Sequence, residues 1–321
     1  VSRAFNDYDD IKEETKQTIL ATARALGYVP NLNAKRLSGK ACQTMAIILV
    51  GFMADRGLTD ELVIKLLRGA CKYGDTHNVE FAVYVLSSEQ QKEKSFEQFC
   101  SEHSLAGAMC FGLKTDDTYY DYLRDSKTPC VAVDILLEGE NVGYVGTDDI
   151  KAFEELTELV ISNGHKNIVL LNGRKEAQVC TLRQAGFDNA MKKHGLKPAG
   201  VFYTDFNAEN ARKITMDYIK ARGNTEPTAF ICASDLVALG ATNGINCMGY
   251  KVGQDFAVTG FDGMHMASLI FPAITTVDQN MEDKGYAAAE MLHSIVDGSK
   301  ENRKVIVPYS LIATDSVGYP N

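Results

Sequence analysis

The sequence has no run of about 18 apolar residues, the length that a membrane-spanning helix needs. It also has no apolar segment near the first residue. Five acidic residues fall between positions 7 and 14, where the core of a secretory signal would lie. Both absences argue against a membrane protein and against a secreted protein. We therefore expect a cytoplasmic protein without a membrane partner.

Motifs of common enzyme active sites are also missing. There is no G-x-S-x-G, no H-E-x-x-H, no phosphate-binding P-loop and no G-x-G-x-x-G. The six histidines form no catalytic pattern, and the eight cysteines include no C-x-x-C pair, which favours reduced, buried thiols over a metal site. Acidic pairs at 116–117 and 148–149 precede predicted helices, where carboxylates favour the helix dipole. The sequence thus predicts no enzyme, no metal and no cofactor.

Charge is distributed unevenly along the chain. The formal net charge of −9 argues against nucleic-acid binding by the whole surface. Residues 1–40 nevertheless hold seven basic and five acidic residues, and the rest of the chain carries a net charge of −11. No acidic residue occurs between Thr15 and Ala54. A basic segment at one end of an acidic protein is typical of a modular nucleic-acid binder.

The basic segment contains a stretch that predicts a structural junction. Gly27 suits the position after a helix end, and Pro30 cannot continue that helix but can begin another. A helix over about 31–38 would have barely two turns, so it should form only when it is docked against a partner. Its basic residues and Leu37 fit minor-groove binding, with an apolar side chain wedged between base steps. An ordinary linker with solvated charges is the alternative.

The remainder of the chain alternates between short apolar runs and amphipathic patterns. This alternation predicts parallel strands joined by helices, with enough strands for two doubly wound lobes that divide near residues 143–147. Ligands in such folds sit at the carboxyl ends of the strands, between the lobes. The predicted strands are Met45–Val50, Phe81–Leu86, Ala108–Phe111, Cys130–Val133, Ile168–Leu171, Val201–Tyr203, Thr228–Cys232 and Phe256–Thr259. The predicted helices include one at 11–26 with Asp10 as its N-cap and a polar one at 90–103.

Residues 27–40, GYVPNLNAKRLSGK, resemble the hinge of the lactose-repressor/galactose-repressor family of bacterial regulators. VSRAFN at the start resembles the end of that family's recognition helix. The family order continues through TPCVAVD, VGTDD, NGHKNIVLL, LRQAGFDNAM, PTAFICASDLVALGA, FAVTGFDG and FPAITTVDQ, so the resemblance covers almost the whole chain. It implies an α/β fold of two doubly wound parallel-sheet lobes, periplasmic-binding-protein-like, preceded by a small all-α DNA-binding remnant and a hinge helix.

The resemblance also divides the chain into domains. Residues 1–30 are expected to be a partial helix-turn-helix head, because in the family a helix and the start of the recognition helix precede VSRA. Residues 31–42 form the hinge helix and linker, and residues 43–321 form the effector-binding domain. Within that domain the first lobe takes residues 43–146 and 281–303, and the second lobe takes residues 147–280 and 304–321.

Seven residues are implied to face the effector. Asp134 and Asp262 follow predicted strands where the cleft would open, and their carboxylates can accept hydrogen bonds from sugar hydroxyls. Arg183 offers forked donors, and Phe206 offers a ring face to a sugar. Ser234 stands where the family often has asparagine, so a hydroxyl replaces an amide and the specificity should differ. Loop caps, a surface arginine and core packing are the alternative roles. The other two candidates are Phe52 and Gln279.

The family hinge and head imply the DNA-binding residues and the function. We expect a ligand-responsive bacterial transcriptional regulator, with repression as its mode, that binds a palindromic operator as a homodimer. Its effector would be a small carbohydrate, a sugar or sugar phosphate. A solute-binding protein of a sugar transport system is the alternative, opposed by the basic head, the cysteines and the missing signal. A third possible class is an α/β enzyme, but the sequence contains neither a nucleophile motif nor a phosphate loop. The candidate DNA-binding residues are Ser2, Arg3, Asn6, Tyr28, Asn31, Lys35, Arg36 and Leu37.

Overall fold

The structure of the chain is a computed structural model. Two compact units can be distinguished, Val1–Gln43 and Thr44–Asn321, and each is described by itself. The predicted hinge helix at 31–38 lies outside the described residues. The structure describes residues 4, 11–26, 44–51, 60–222, 228–301 and 303–319.

The first unit contains helix α1, which spans Glu13–Ala25. Acidic residues lie in its first turn and Arg24 in its last, which favours the helix dipole at both ends. Lys12 occupies the N-cap position and makes no side-chain cap hydrogen bond. The helix therefore begins two residues later than the predicted 11–26 helix, and the predicted cap Asp10 lies outside the described residues.

The second unit is built of short apolar strands that alternate with helices. None of the helices in the described ranges is long and apolar enough to cross a membrane. The elements in chain order are β1 (Thr44–Val50), α2 (Asp60–His77), β2 (Glu80–Leu86), α3 (Ser88–Glu93), α4 (Phe96–Glu102), β3 (Ala108–Phe111), α5 (Thr118–Arg124), β4 (Cys130–Val133), β5 (Val142–Gly146), α6 (Asp149–Ser162), β6 (Asn167–Asn172), α7 (Gln178–Lys193), β7 (Gly200–Tyr203), α8 (Ala208–Arg222), β8 (Thr228–Cys232), α9 (Asp235–Cys247), β9 (Phe256–Thr259), α10 (His265–Leu269), β10 (Thr276–Asp278), α11 (Met281–Val296), β11 (Lys304–Ile306) and β12 (Ser310–Ile312).

The first lobe is organised around a parallel sheet in the order β11-β5-β4-β3-β1-β2. Helices α2 and α11 cover one face and helices α4 and α5 cover the other, so an apolar core forms on each side. Helix α11 packs along α2 at Gly69 and Gly285, where a Cβ atom would overlap the backbone of the facing helix. A helix from the C-terminal part of the chain thus completes the first lobe.

The second lobe contains a parallel sheet in the order β7-β6-β8-β9. Helices α6 and α7 pack on one face and helices α8 and α9 on the other. The antiparallel pair β10-β12 extends this lobe, because the Asp262 amide donates a hydrogen bond to the Val277 carbonyl at 2.9 Å. The predicted α/β fold with two doubly wound parallel-sheet lobes is confirmed. The chain passes between the lobes after β5, after β10 and after β11.

Two strands correct the predicted lobe boundaries. Strand β5 occupies the glycine-containing stretch that is predicted to divide the lobes, and a Cβ atom at Gly143 would overlap the Met291 side chain of α11. Strand β11 pairs in parallel with β5, with Lys304 opposite Tyr144. Residues 304–306 therefore lie in the first lobe, and the predicted boundary at 304 is wrong. Parallel pairing, which joins segments far apart in sequence, decides the assignment.

The polar segment 90–103, predicted as one helix, contains two. Ser87 and Ser95 each form a capping box, in which the serine side chain accepts from a backbone amide three residues later. The second capping box interrupts the first helix and begins α4. Helix α4 then directs Phe96 and Phe99 into the first-lobe core. A single straight helix would not place these two side chains in the same way.

Candidate ligand-binding site

A cavity of about 450 Å³ lies between the two lobes, at the carboxyl ends of their strands. This is where parallel sheets expose backbone groups and side chains that no neighbouring strand uses. Six of the seven predicted effector residues line it, and Phe52 lies outside the described residues. The lining residues are Val50, Gly51, Leu62, Phe111, Gly112, Leu113, Lys114, Val133, Asp134, Arg174, Ala177, Gln178, Val179, Arg183, Phe206, Ser234, Leu236, Asp262, Met264, Gln279 and Met281.

A chain of polar contacts crosses the floor of the cavity from one lobe to the other. The Lys284 ammonium donates to Asp134 Oδ1 at 2.5 Å and also donates to Gln279 Oε1. The Gln279 amide in turn donates to Asp262 Oδ1 at 2.8 Å. Lys284 is 0% exposed, so within the part of the chain that the structure describes its charge depends on this network. Asp134, Gln279 and Asp262 are predicted from the sequence, whereas Lys284 is not, because its only signal in the sequence is a lysine on an otherwise apolar helix face.

Asp134 and Asp262 both have unusual backbone conformations. Their φ angles are 61° and 126°, a region that residues other than glycine seldom adopt and that is found repeatedly at ligand sites. Burial raises the pKa of Asp262 well above its usual range, and the nearby charge of Arg183 opposes the shift. A protonated Asp262 can donate a hydrogen bond as well as accept one, and this suits it to sugar hydroxyls.

Arg183 is anchored from behind by a buried carboxylate. Its Nε donates to Asp149 Oδ1 at 2.8 Å, and its Nη1 donates to the Ala233 carbonyl at 2.7 Å. The guanidinium lies 3.9 Å from the centroid of the Phe261 ring. Burial raises the pKa of Asp149, and the charge of Arg183 opposes that rise. Within the described residues the other terminal nitrogen of Arg183 has no hydrogen-bond partner, so it can donate into the cavity. The surface-arginine alternative is wrong, because Arg183 is buried.

Phe206 and Ser234 each combine a structural role with a place on the cavity wall. Phe206 has φ of 54°, and its ring lies against Gly173 so closely that a Cβ atom there would overlap it. The ring also packs on the second-lobe core, so Phe206 both packs on the core and lines the cavity. Ser234 caps α9 by accepting a hydrogen bond from the Val237 amide at 3.2 Å. Its hydroxyl hydrogen remains available to a ligand.

Asp235, next in the chain, supports the site without lining it. Its carboxylate accepts a 2.6 Å hydrogen bond from the Thr276 hydroxyl and a 2.7 Å hydrogen bond from the Met264 amide. These contacts hold the start of α9 against the loop that carries Asp262. Burial raises the pKa of Asp235 to about 6, and the hydrogen bond from Thr276 opposes that shift.

Direct hydrogen bonds also join the lobes on both sides of the cavity. On one side the Thr115 amide and hydroxyl each donate to the Glu176 carbonyl at 3.0 Å, and the Leu136 amide donates to Gln178 Oε1 at 2.6 Å. On the other side the Lys65 ammonium donates to the Gly263 carbonyl at 2.8 Å. These bridges were not predicted, because their partners are distant in sequence. Together they make the cavity dependent on how the two lobes are placed.

Among the described residues, no group of three or more histidine, cysteine, aspartate or glutamate side chains is arranged to hold a metal ion. All of the predicted DNA-binding residues lie outside the described residues: Ser2, Arg3, Asn6, Tyr28, Asn31, Lys35, Arg36 and Leu37.

The chain is similar in sequence to a family of known proteins. Residues 157–317 match the family model described as a periplasmic binding protein-like domain. HTH-type transcriptional regulator RegA of Clostridium saccharobutylicum is 25% identical over 98% of this chain and 94% of its own length. The chain belongs to the lactose-repressor/galactose-repressor family. Within that family a probable transcriptional repressor, ExuR of Bacillus subtilis, is 24% identical over 99% of this chain and 93% of its own length.

Solved structures of the family share the fold over nearly the full chain. A lac repressor dimer bound to operator and the anti-inducer ONPF superposes with a TM-score of 0.84 at 21% identity, covering 99% of this chain and 94% of the other. The regulator CelR in complex with cellobiose gives a TM-score of 0.76 at 21% identity, covering 98% and 94%. The similar proteins are transcriptional regulators, which favours regulation over solute transport and over catalysis.

Proposed function

We propose that this protein is a ligand-responsive transcriptional repressor that binds a palindromic operator as a homodimer and takes a small carbohydrate effector between its lobes. The observation that carries the proposal is the cavity itself. It brings together six residues that lie between positions 134 and 279 in the sequence, at the facing ends of two sheets. The relatives, which are regulators, support the DNA-binding half of the proposal.

The cavity has the chemistry that carbohydrate binding requires. Asp134, Asp262 and Gln279 supply acceptors and donors on its floor, and Arg183 and Ser234 supply further donors on its second-lobe wall. Phe206 presents an aromatic ring, and the apolar face of a sugar packs well on such a ring. A cavity of about 450 Å³ is within the range for small-molecule sites.

Effector binding would act through the relative placement of the lobes. A ligand that contacts both walls stabilises the arrangement in which both walls reach it, and it shifts the equilibrium only by its differential affinity for the two arrangements. The hydrogen bond from Lys65 to the Gly263 carbonyl and those from Thr115 to the Glu176 carbonyl would have to change when the lobes move. We infer that the effector controls the hinge segments in this way.

Titration calorimetry with sugars, sugar phosphates and purines tests the effector site. Asp262→Ala should weaken the effector identified in that screen by about 1–3 kcal/mol, because it leaves a buried polar partner unsatisfied. Asp217→Ala, on the exposed face of α8, is the matched control and should leave the affinity unchanged. Equal affinity of Asp262→Ala and wild type would refute the site.

DNA titrations of the full-length protein test the operator half. Leu37→Ala should lose the wedge between base steps while Lys35 and Arg36 still reach phosphates. Specific operator affinity should therefore fall, and salt-dependent binding to random DNA should stay nearly unchanged. Titrations with operator and random DNA at two salt concentrations measure both. An unchanged ratio of the two affinities would show that Leu37 is only a packing residue of a linker.

A further inference from the structure

The charged side chains that line the cavity are unbalanced. Among the described residues of the lining, three are cations and two are carboxyl groups. Asp134 is neutralised from behind by Lys284, and Arg183 is neutralised from behind by Asp149. The carboxyl group of Asp262 is buried, and burial favours its uncharged form. The five are Lys114, Arg174, Arg183, Asp134 and Asp262.

The surplus positive charge is localised on Arg174. This residue is half-buried on the loop after β6, and within the described residues no carboxylate pairs with its guanidinium. Lys114, by contrast, lies 3.5 Å from Asp116 Oδ1 and 3.6 Å from Asp117 Oδ1. A partly desolvated guanidinium without a counter-charge gains free energy when an anion enters, and its planar fork suits a carboxylate or a phosphate.

The two cations lie at the same end of the cavity, on opposite lobes. Lys114 precedes Thr115, which donates two hydrogen bonds to the carbonyl of Glu176, and Arg174 precedes Glu176 by two residues. Arg174 also follows Gly173 directly, and Gly173 lies against the Phe206 ring. A sugar ring on Phe206 would therefore have the loop that carries Arg174 next to it.

We propose that the effector is an anionic carbohydrate, whose carboxylate or phosphate is bound by Arg174 with Lys114 facing it across the cleft. This inference rests on the carbohydrate-effector function proposed above and narrows it to one charge class. Asp134, Gln279 and Asp262 would then bind the hydroxyl groups, and the anionic group would sit where the hydrogen bonds from Thr115 to the Glu176 carbonyl join the lobes. Because Lys114 and Arg174 belong to different lobes, the anion would also hold the lobes together.

Matched ligand series and matched variants test the proposal. Glucose, glucuronate and glucose 6-phosphate, and the corresponding galactose compounds, are titrated into wild type, Arg174→Gln and Lys175→Gln. Lys175 is the control because its ammonium lies 5.1 Å from the Tyr203 ring centroid, outside the cavity. We expect at least one anionic sugar to bind about tenfold or more tightly than its neutral parent, as a charge-assisted hydrogen bond implies. Arg174→Gln should abolish that preference, and Lys175→Gln should preserve it.

The outcomes separate this inference from the proposed function. If a neutral sugar binds at least as tightly as its acids and phosphates, and Arg174→Gln leaves all affinities unchanged, the anionic effector is refuted while a carbohydrate effector stands. If no sugar of either charge binds, the carbohydrate assignment fails. Inorganic phosphate then tests the anion site by itself. A rise in melting temperature with phosphate that Arg174→Gln removes supports the anion site. No such rise in wild type overturns the anion site. Comparison of uronates with sugar phosphates identifies the anionic group.

Discussion

Individual residues of the cavity show how buried charges are kept in place. Arg183 and Asp149 are both almost fully buried, and each is the other's counter-ion. Such a pair contributes little net stability compared with apolar residues of the same volume, but removal of one partner leaves a buried charge uncompensated. The pair therefore fixes the position of the Arg183 guanidinium rather than serving as a stabilising element. The same reasoning applies to Lys284 beside Asp134.

We predict that Arg183→Met lowers the free energy of unfolding by about 3–5 kcal/mol, because Asp149 then remains buried without its counter-ion. Arg212→Met is the matched control, since Arg212 forms a similar ion pair with Glu209 on the surface of α8. The control should lower the free energy of unfolding far less, because water screens an exposed ion pair. Urea unfolding followed by circular dichroism measures both. Equal effects of the two substitutions would contradict the prediction.

Asp235 should make stability depend on pH. Its pKa of about 6 in the folded protein lies above its ordinary value of 3.8, with burial as the main cause. The folded state therefore binds this proton more tightly, so the contribution is complete below about pH 4 and is lost as pH rises to about 6. Asp235→Asn removes this titration. Its amide can keep both contacts by accepting from the Met264 amide and donating to the Thr276 hydroxyl oxygen.

The measurement is a set of urea unfolding curves between about pH 4 and pH 6.5. Wild type should lose on the order of 2 kcal/mol more stability over this range than Asp235→Asn. Asp262 remains in both proteins, so its own titration, shifted in the same direction by burial, contributes to both curves. Parallel curves for the two proteins would show that Asp235 does not titrate in this window.

At the scale of elements, helices α2 and α11 pack closely against each other. A Cβ atom at Gly285 would overlap the Leu66 carbonyl oxygen of the facing helix. We predict that Gly285→Ala destabilises the protein by about 1–3 kcal/mol, although alanine is the better helix former, because the helices must separate. Glu290→Ala, on the exposed face of the same helix, should change stability by less than about 0.5 kcal/mol. Thermal unfolding decides, and a more stable Gly285→Ala would be incompatible with this contact.

At the scale of the whole molecule, exposed apolar side chains support the proposed homodimer. Leu269, the last residue of α10, is 69% exposed, and Phe271, two residues later, is 95% exposed. Large apolar side chains that stand out together in this way mark a surface for association. A two-fold symmetric protein also matches the two halves of a palindromic operator. The proposal therefore includes these two residues in the subunit interface.

We predict that Phe271→Asp shifts the protein from dimer towards monomer, because a charge would replace an apolar contact. Tyr122→Asp, a change at another half-exposed aromatic residue, is the control and should leave the dimer intact. Sedimentation velocity at micromolar concentration measures the state. A wild-type protein that sediments only as a 35.2 kDa monomer would refute the dimer itself, and an unaffected Phe271→Asp dimer would place the interface elsewhere.

The sequence by itself determined the strands and the side chains at their ends. Short apolar runs such as Cys130–Val133 that alternate with helical patterns indicate buried parallel strands, and the residues that follow them, Asp134 among them, then emerge at one edge of a sheet. The family resemblance added Arg183 and Phe206, which the structure places at the same cavity. These conclusions depend on local patterns, which one chain carries in full.

Only the tertiary structure decided which distant segments meet. Strand β11 has just three residues and weak apolar character, so its pairing with β5 is visible only once the sheet is assembled. From the sequence alone Lys284 is expected to be a solvated helix residue. In the structure α11 buries its side chain, and the ammonium donates hydrogen bonds to Asp134 and Gln279. Arg174, which has no carboxylate partner among the described residues, is likewise recognisable only from its surroundings in the folded chain. Pairing and burial of charge depend on contacts between residues far apart in the chain, and these contacts exist only in the folded protein.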